Sequence, residues 1–183
     1  MDVEIKLMYQ EGGESKEISV IHPRVAAERR SAVRHFMERG CTFVPDVEVV
    51  PDWLSNLPHQ VQQQIASSNA ELLPVYKLTV PAHSTVAGPE LKLLMHISEL
   101  QHLSIAVPLH PEDMSSLAVL QHLDVLVIRG KDFGDLHCEA MPMMNSVRML
   151  DIQDTAITNA GLRQLETSFP TATMYADPTN GEV

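Results

Sequence analysis

Residues Val147 to Leu165 read V-R-M-L-D-I-Q-D-T-A-I-T-N-A-G-L-R-Q-L and contain, in order, the marks of a short strand, a turn and a short helix. Val147, Leu150 and Ile152 follow an L-x-x-L-x-L spacing. It recurs upstream as Leu123/Leu126/Ile128, Leu100/Leu103/Ile105 and Val75/Leu78/Val80, at intervals of 24, 23 and 25 residues. A unit of that length cannot bury its own apolar face and must stack on its neighbours. The spacing therefore predicts an α/β fold: a short solenoid of about four coils over residues 70–176, with one parallel sheet and convex helices.

In the last unit, strand alternation directs Leu150 and Ile152 inward and Met149, Asp151 and Gln153 outward onto the concave face. Ile157 turns the corner inward, Thr158 caps a short helix, Gly161 allows close packing, and Leu162 and Leu165 close the core from the convex side. Helical halves of the same kind are predicted at Glu90 to Ile97 with Leu94 and Ile97, at Glu112 to Leu120 with Leu117 and Leu120, and at Asp135 to Met141. Pro111 suits a helix start. Phe169 to Tyr175 reads as a last strand with no helix behind it, and residues 177–183 as a fraying tail.

Residues 1–50 do not follow the repeat. Val3, Ile5 and Leu7 alternate, Gly12-Gly13 makes a turn, and Ile18, Val20 and Ile21 mark a returning strand, which together predict a hairpin. A helix from about Arg24 to Glu38 carries Val25, Val33, Phe36 and Met37 and stops at Gly40. Thr42 to Val50 is extended and interrupted by Pro45. These pieces form a small α+β unit that either packs on the first coil or carries a separate contact. A second helix follows within 51–69, with Leu54, Leu57, Val61 and Ile65 at helical spacing, and is expected to cap the open apolar end of the array.

Hydrophobic residues make up 44% of the 183, enough for a continuous core, while aromatics are only 4%, so packing rests on aliphatics and ten methionines. The net charge of −11 is unevenly placed: residues 1–40 hold seven basic and seven acidic groups, which leaves the repeat half acidic. Such a surface repels phosphate backbones, so nucleic acid is not an expected partner. The cluster from Arg24 to Arg39 reads as the solvated face of a helix that also carries Glu28 and Glu38. Cys41 and Cys138 offer no disulfide framework, and there is neither a basic leader nor a long apolar run; a cytoplasmic protein with no membrane contact is expected.

The last unit resembles the bacterial leucine-rich-repeat proteins whose repeat is L-x-x-L-x-L-x-x-T-x-I-T-D-x-G-L-x-x-L. Val147, Leu150, Ile152, Thr155, Ile157, Thr158, Gly161, Leu162 and Leu165 fall in register, with Asn159 at the Asp position. At the Thr155 position the earlier units carry Lys131, Pro108 and His83, which departs from the family's ladder of buried polar side chains. The resemblance spans roughly residues 70–176 and implies a protein-interaction scaffold. A narrower stretch, Leu57-Pro58-His59-Gln60-Val61 followed by Ile65, is similar to the opening of the F-box motif and would imply an adaptor role, although a capping helix explains the same spacing.

Outward strand positions of successive coils line up into one surface: Lys77 and Thr79, then His102, Ser104 and Ala106, then Val125, Val127 and Arg129, then Met149, Asp151 and Gln153. Val125, Val127 and Met149 would make a small exposed apolar centre flanked by Arg129 and Asp151, the anatomy of a protein-binding patch with a polar rim. The alternatives are that the N-terminal unit covers this face or that a homodimer buries it.

Catalytic signals are sparse. The nine histidines lack paired metal-ligand spacing and read mostly as surface residues, and no cofactor is expected. His137-Cys138-Glu139 has the H-x-E of zinc deaminases without the second half, and Cys138 falls at an inward helical position. His102, Ser104 and Asp151 make only a nominal triad, because a whole coil separates His102 from Asp151. The expectation is a non-enzymatic binding module with an unidentified protein partner, monomeric or homodimeric. The competing class is a hydrolase or transferase with its site between the N-terminal unit and the solenoid.

Overall fold

The computed structural model describes residues 3–11, 13–22, 27–45, 58–59, 62 and 75–178. The chain opens with the antiparallel hairpin that the alternation predicts, β1 (Val3–Glu11) against β2 (Glu14–His22). Helix α1 (Ala27–Glu38) follows and ends at Gly40. Strand β3 (Thr42–Pro45) then pairs antiparallel with β4 (Val75–Val80). Beyond β4 every pairing is parallel and in chain order, through β5 (His102–Ile105), β6 (Val125–Ile128), β7 (Met149–Asp151) and β8 (Thr173–Tyr175). The result is an α/β fold with a six-stranded, largely parallel sheet whose strands alternate with short helices.

Register explains the order. Leu78, Leu103, Leu126 and Leu150 are successive Cα partners across β4 to β7, continued by Met174, and Val80, Ile105 and Ile128 form the next inward row. All but Met174, which is half-buried at the sheet edge, are within 1% of complete burial. Each buried aliphatic of this size contributes about 2 kcal/mol by transfer from water, so a one-residue slip, which would turn a whole row outward, is strongly disfavoured.

The helical segments that connect the strands pack on one another in the same order. Two of them are not α-helices: Gly88–His96 and Pro111–Val119 are 3-10 helices, whereas α2 (Asp135–Ala140) and α3 (Asn159–Ser168) are α. One kind of helix throughout was the sequence expectation. The difference follows from spacing. Leu91, Leu94, Ile97, Leu100 and Leu103 are all buried at steps of three, as are Met114, Leu117, Leu120, Leu123 and Leu126. Side chains at i and i+3 eclipse when the helix has three residues per turn, so this spacing turns Leu91 and Leu94 of the first helix and Met114 and Leu117 of the second toward the core; the later members of each series lie past the helix ends.

Of the N-terminal α+β residues, helix α1 and strand β3 pack on the first unit, whereas β1 and β2 form a separate two-stranded sheet. Ala32, Val33 and Phe36 of α1 join the main hydrophobic core, and Phe36 meets Phe43 of β3 edge to face at 6.4 Å between ring centres. The arginine cluster is only partly a solvated face. Arg30 and Arg34 are exposed, but Arg29 donates from Nε to Glu99 Oε1 at 2.7 Å and Arg39 from Nε to Glu90 Oε2 at 3.1 Å. Arg24 and the capping helix expected within 51–69 lie outside the described residues, save Pro58, His59 and Gln62, where the Gln62 N–H donates to the Pro58 carbonyl. The sheet edge beside β4 is taken by β3. No described helix is long and apolar enough to cross a membrane.

Candidate functional site

The parallel register turns the outward strand positions into two straight rows. Lys77, His102, Val125, Met149 and Thr173 are successive partners in one; Thr79, Ser104, Val127, Asp151 and Tyr175 in the other. Ala106 and Arg129 continue the face just past the strands, where Ala106 N–H donates to Val80 O at 2.8 Å and Arg129 N–H to Ile105 O at 2.9 Å. All eight candidate residues, Lys77, His102, Ser104, Val125, Val127, Arg129, Met149 and Asp151, therefore belong to one side of one sheet.

The apolar centre is less open than the sequence suggests. Val125 is only 8% exposed, flanked in its row by the longer His102 and Met149, and Val127 and Met149 are half-buried. What the face presents is a shallow apolar floor between polar groups, not three protruding aliphatics.

Arg129 and Asp151, expected as separate rim charges, are joined. Arg129 Nη2 donates to Asp151 Oδ2, and Nη1 donates to the carbonyls of Asp151 at 3.1 Å and of Ile128 at 3.2 Å. The guanidinium hydrogen bond holds the Asp151 carboxyl below its ordinary range, against the cost of its partial burial. Three bonds from one guanidinium across two strands fix the Arg129 side chain in place and leave little rotamer freedom to lose on binding. His102 is shifted down from its ordinary value, first by burial and second by the charge of Lys77 beside it. Both causes disfavour the charged form of its imidazole.

The nominal triad does not assemble. Val127 stands in register between Ser104 and Asp151, and the Asp151 carboxylate is occupied by Arg129. The His137-Cys138-Glu139 stretch is structural on its first two residues. His137 is buried, stacks on Phe133 at 5.1 Å, accepts from Gly134 N–H at Nδ1 and lies 2.8 Å from Leu109 O at Nε2, which fits an Nε2–H tautomer bridging two units. Among the histidines whose side chains are described it alone is buried, an exception to the expectation that most lie at the surface. Cys138 is buried and its thiol is pushed up to about 12, chiefly by burial; Cys41 is also buried and shifted up for the same reason, and both are free thiols.

Between the N-terminal residues and the repeats, where the enzyme alternative would place its site, the charged groups are tied to each other. Glu90 receives Arg39, has His35 Nε2 2.9 Å from Oε1, and accepts from the Ala87 N–H at 2.8 Å. Burial opposes its ionisation, but the Ala87 hydrogen bond and the charges of His35 and Arg39 outweigh that and hold its carboxyl low. Among the described residues, no three His, Cys, Asp or Glu side chains gather as a metal-binding group would.

Sequence reasoning missed two participants. Tyr175 ends the second row beside Asp151 and is 49% exposed; its place was legible only once β8 had been registered against β7. Asp135 ties neighbouring units by accepting from Thr158 N–H at 2.8 Å and Thr158 Oγ1 at 2.7 Å, and no local pattern signals a contact over 23 residues. Compared with known proteins, the chain matches no family model and no curated protein.

Proposed function

We propose that residues 75–176 are a short leucine-rich-repeat solenoid, and that its strand face is a non-enzymatic surface for a protein partner. The repeat period and the in-order parallel sheet support the architecture. So do the fittings of the last unit: Thr155 is buried with Oγ1 donating to Ile152 O at 2.9 Å, and Thr158 Oγ1 accepts from Ala160 N–H at 3.1 Å. The observation that carries the functional reading is the pair of unbroken rows across five strands, which joins an apolar floor at Val127 and Met149 to the fixed Arg129–Asp151 pair and to Ser104, His102 and Lys77. A partner offering a small apolar contact and a hydrogen-bonding segment across the strands suits that surface.

Val127→Asp is the direct test. It places a second carboxylate next to Asp151 in the centre of the face and should abolish partner capture while the far-UV spectrum and thermal midpoint stay close to wild type. Ser104→Arg gives an independent block at a half-buried polar position. Capture that survives both substitutions in folded protein moves the binding surface elsewhere.

A further inference from the structure

Strand β8 has β7 on one side and, among the described residues, no strand on the other. Thr173 N–H donates to Arg148 O at 2.8 Å and Tyr175 O accepts from Ile152 N–H at 2.9 Å, so these two residues turn their backbone groups to β7. Alternation turns the N–H and C=O of Met174 to the open edge. Such an edge is a template for another strand, and proteins that keep one free commonly protect it with charge or proline. Ala172 to Ala176 carries neither.

The layer behind the edge is open as well. Each helical segment packs on the next in chain order, and α3 is the last described. Beside it Leu162, Phe169, Ala172, Met174 and Ala176 line a groove of about 400 Å³. All of these except Phe169 are only half-buried although they pack against the main core. The groove therefore continues the surface that each earlier unit offers to the next.

What fits this edge is set by its own pattern. The residues on the core side of the strand, Ala172, Met174 and Ala176, read small-large-small in either chain direction. A second β8 laid antiparallel about a two-fold axis at Met174 meets the first with a matching profile. Met174 then stands opposite Met174 in a hydrogen-bonded pair that uses the N–H and C=O at the open edge. Thr173 stands opposite Tyr175 in the closer non-bonded pairs, a β-branched residue against an aromatic one. Moving the axis to Thr173 or Tyr175 would oppose backbone groups already bonded to β7. Backbone alternation thus selects the register. An axis normal to the sheet keeps both helical layers on one side, so the two grooves join.

We infer that β8 is a homodimerisation edge: two copies of this chain pair β8 to β8, and each closes the open end of the other's core. The two six-stranded sheets become one, and the outward row that ends at Tyr175 runs on into Thr173 of the second copy. This inference is independent of the strand-face reading, since it uses the sheet edge and a different occupant.

Sedimentation equilibrium of the full chain tests it, and the wild type should be a dimer. Thr173 and Tyr175 are exposed, so charges placed there spare the core. Thr173→Glu combined with Tyr175→Glu, and separately Thr173→Lys combined with Tyr175→Lys, put like charges opposite each other at both symmetric positions. Each double variant should dimerise about tenfold or more weakly. An equal mixture of the two should dimerise again, because every lysine then meets a glutamate; this arm separates loss of pairing from loss of folding. In the wild-type dimer the Met174 amide should be protected from hydrogen exchange and should lose that protection on dilution to monomer. A monomeric wild type, double variants that dimerise as well as wild type, a mixture no stronger than its components, or a dimer whose Met174 amide exchanges freely would each overturn the proposal.

Discussion

The 149–168 unit and the 102–119 unit satisfy the same demand, delivery of aliphatic side chains to a shared core, with different helices. In α3 the buried positions Gly161, Leu165 and Ser168 fall at steps of four and then three, and the Thr158 hydroxyl caps the first turn. In the segment Pro111–Val119 they fall at steps of three, a proline begins the helix, and Asp113 reaches back to accept from His110 N–H at 2.9 Å. A 3-10 turn rises about 2.0 Å per residue against 1.5 Å in an α-helix, so nine residues of one span about as far as twelve of the other. Helix type is thus an adjustment to the spacing of buried residues, while the strands on either side keep the same register. Strand pairing is the conserved geometry and the helix is the variable part.

The sharpest way to break that comparison is to remove one core contact from each kind of helix. Leu117→Ala and Leu165→Ala both empty a completely buried position, and each should cost about 3 kcal/mol in urea unfolding. Equal losses support the equivalence of the two units; a loss confined to Leu165→Ala would mean that the 3-10 segment is only loosely attached. A smaller effect is expected at the close approaches. A Cβ at Gly88 would run into the Asp113 carboxylate, and one at Gly161 would meet the Asp135 carboxylate with Cys138 Sγ at 3.2 Å. Gly161→Ala and Gly88→Ala should each destabilise by about 1–3 kcal/mol, read from the denaturation midpoint.

Acid sharpens the comparison most finely. The Thr158 N–H and hydroxyl bonds, in that order, hold the Asp135 carboxyl below its ordinary value. Because the folded value lies under the unfolded one, this stabilisation is complete above about pH 4 and is lost as pH falls through the folded value. Asp135→Asn should therefore be less stable than wild type at neutral pH, and the gap should close on acidification. A gap that stays constant from pH 7 to about pH 2 would assign the cost to altered packing instead.

Much of this fold was legible because a strand has a period of two and the unit a period near 24. Those regularities locate Leu78, Leu103, Leu126 and Leu150 without any knowledge of their neighbours. The site was legible in membership, since alternation alone puts Val127 and Asp151 outward. Its character was not. The Arg129–Asp151 bond spans 22 residues, the burial of Val125 depends on the reach of His102 and Met149 on either side, and the docking of Arg29 and Arg39 depends on where α1 comes to rest. The three-residue steps from Leu91 to Leu103 were present in the chain all along, but a 3-10 reading of them gains force only when every member is seen to be buried.

Local spacing by itself determined that the chain alternates strands with short helices and which residues of each face inward, because periodicity is a property of the backbone and needs no partner. The tertiary structure decided which strand lies beside which, that β3 closes one edge, which charges neutralise one another, and how deeply the outward valines sit. Those outcomes depend on distances between residues remote in sequence, and only the packed chain sets such distances.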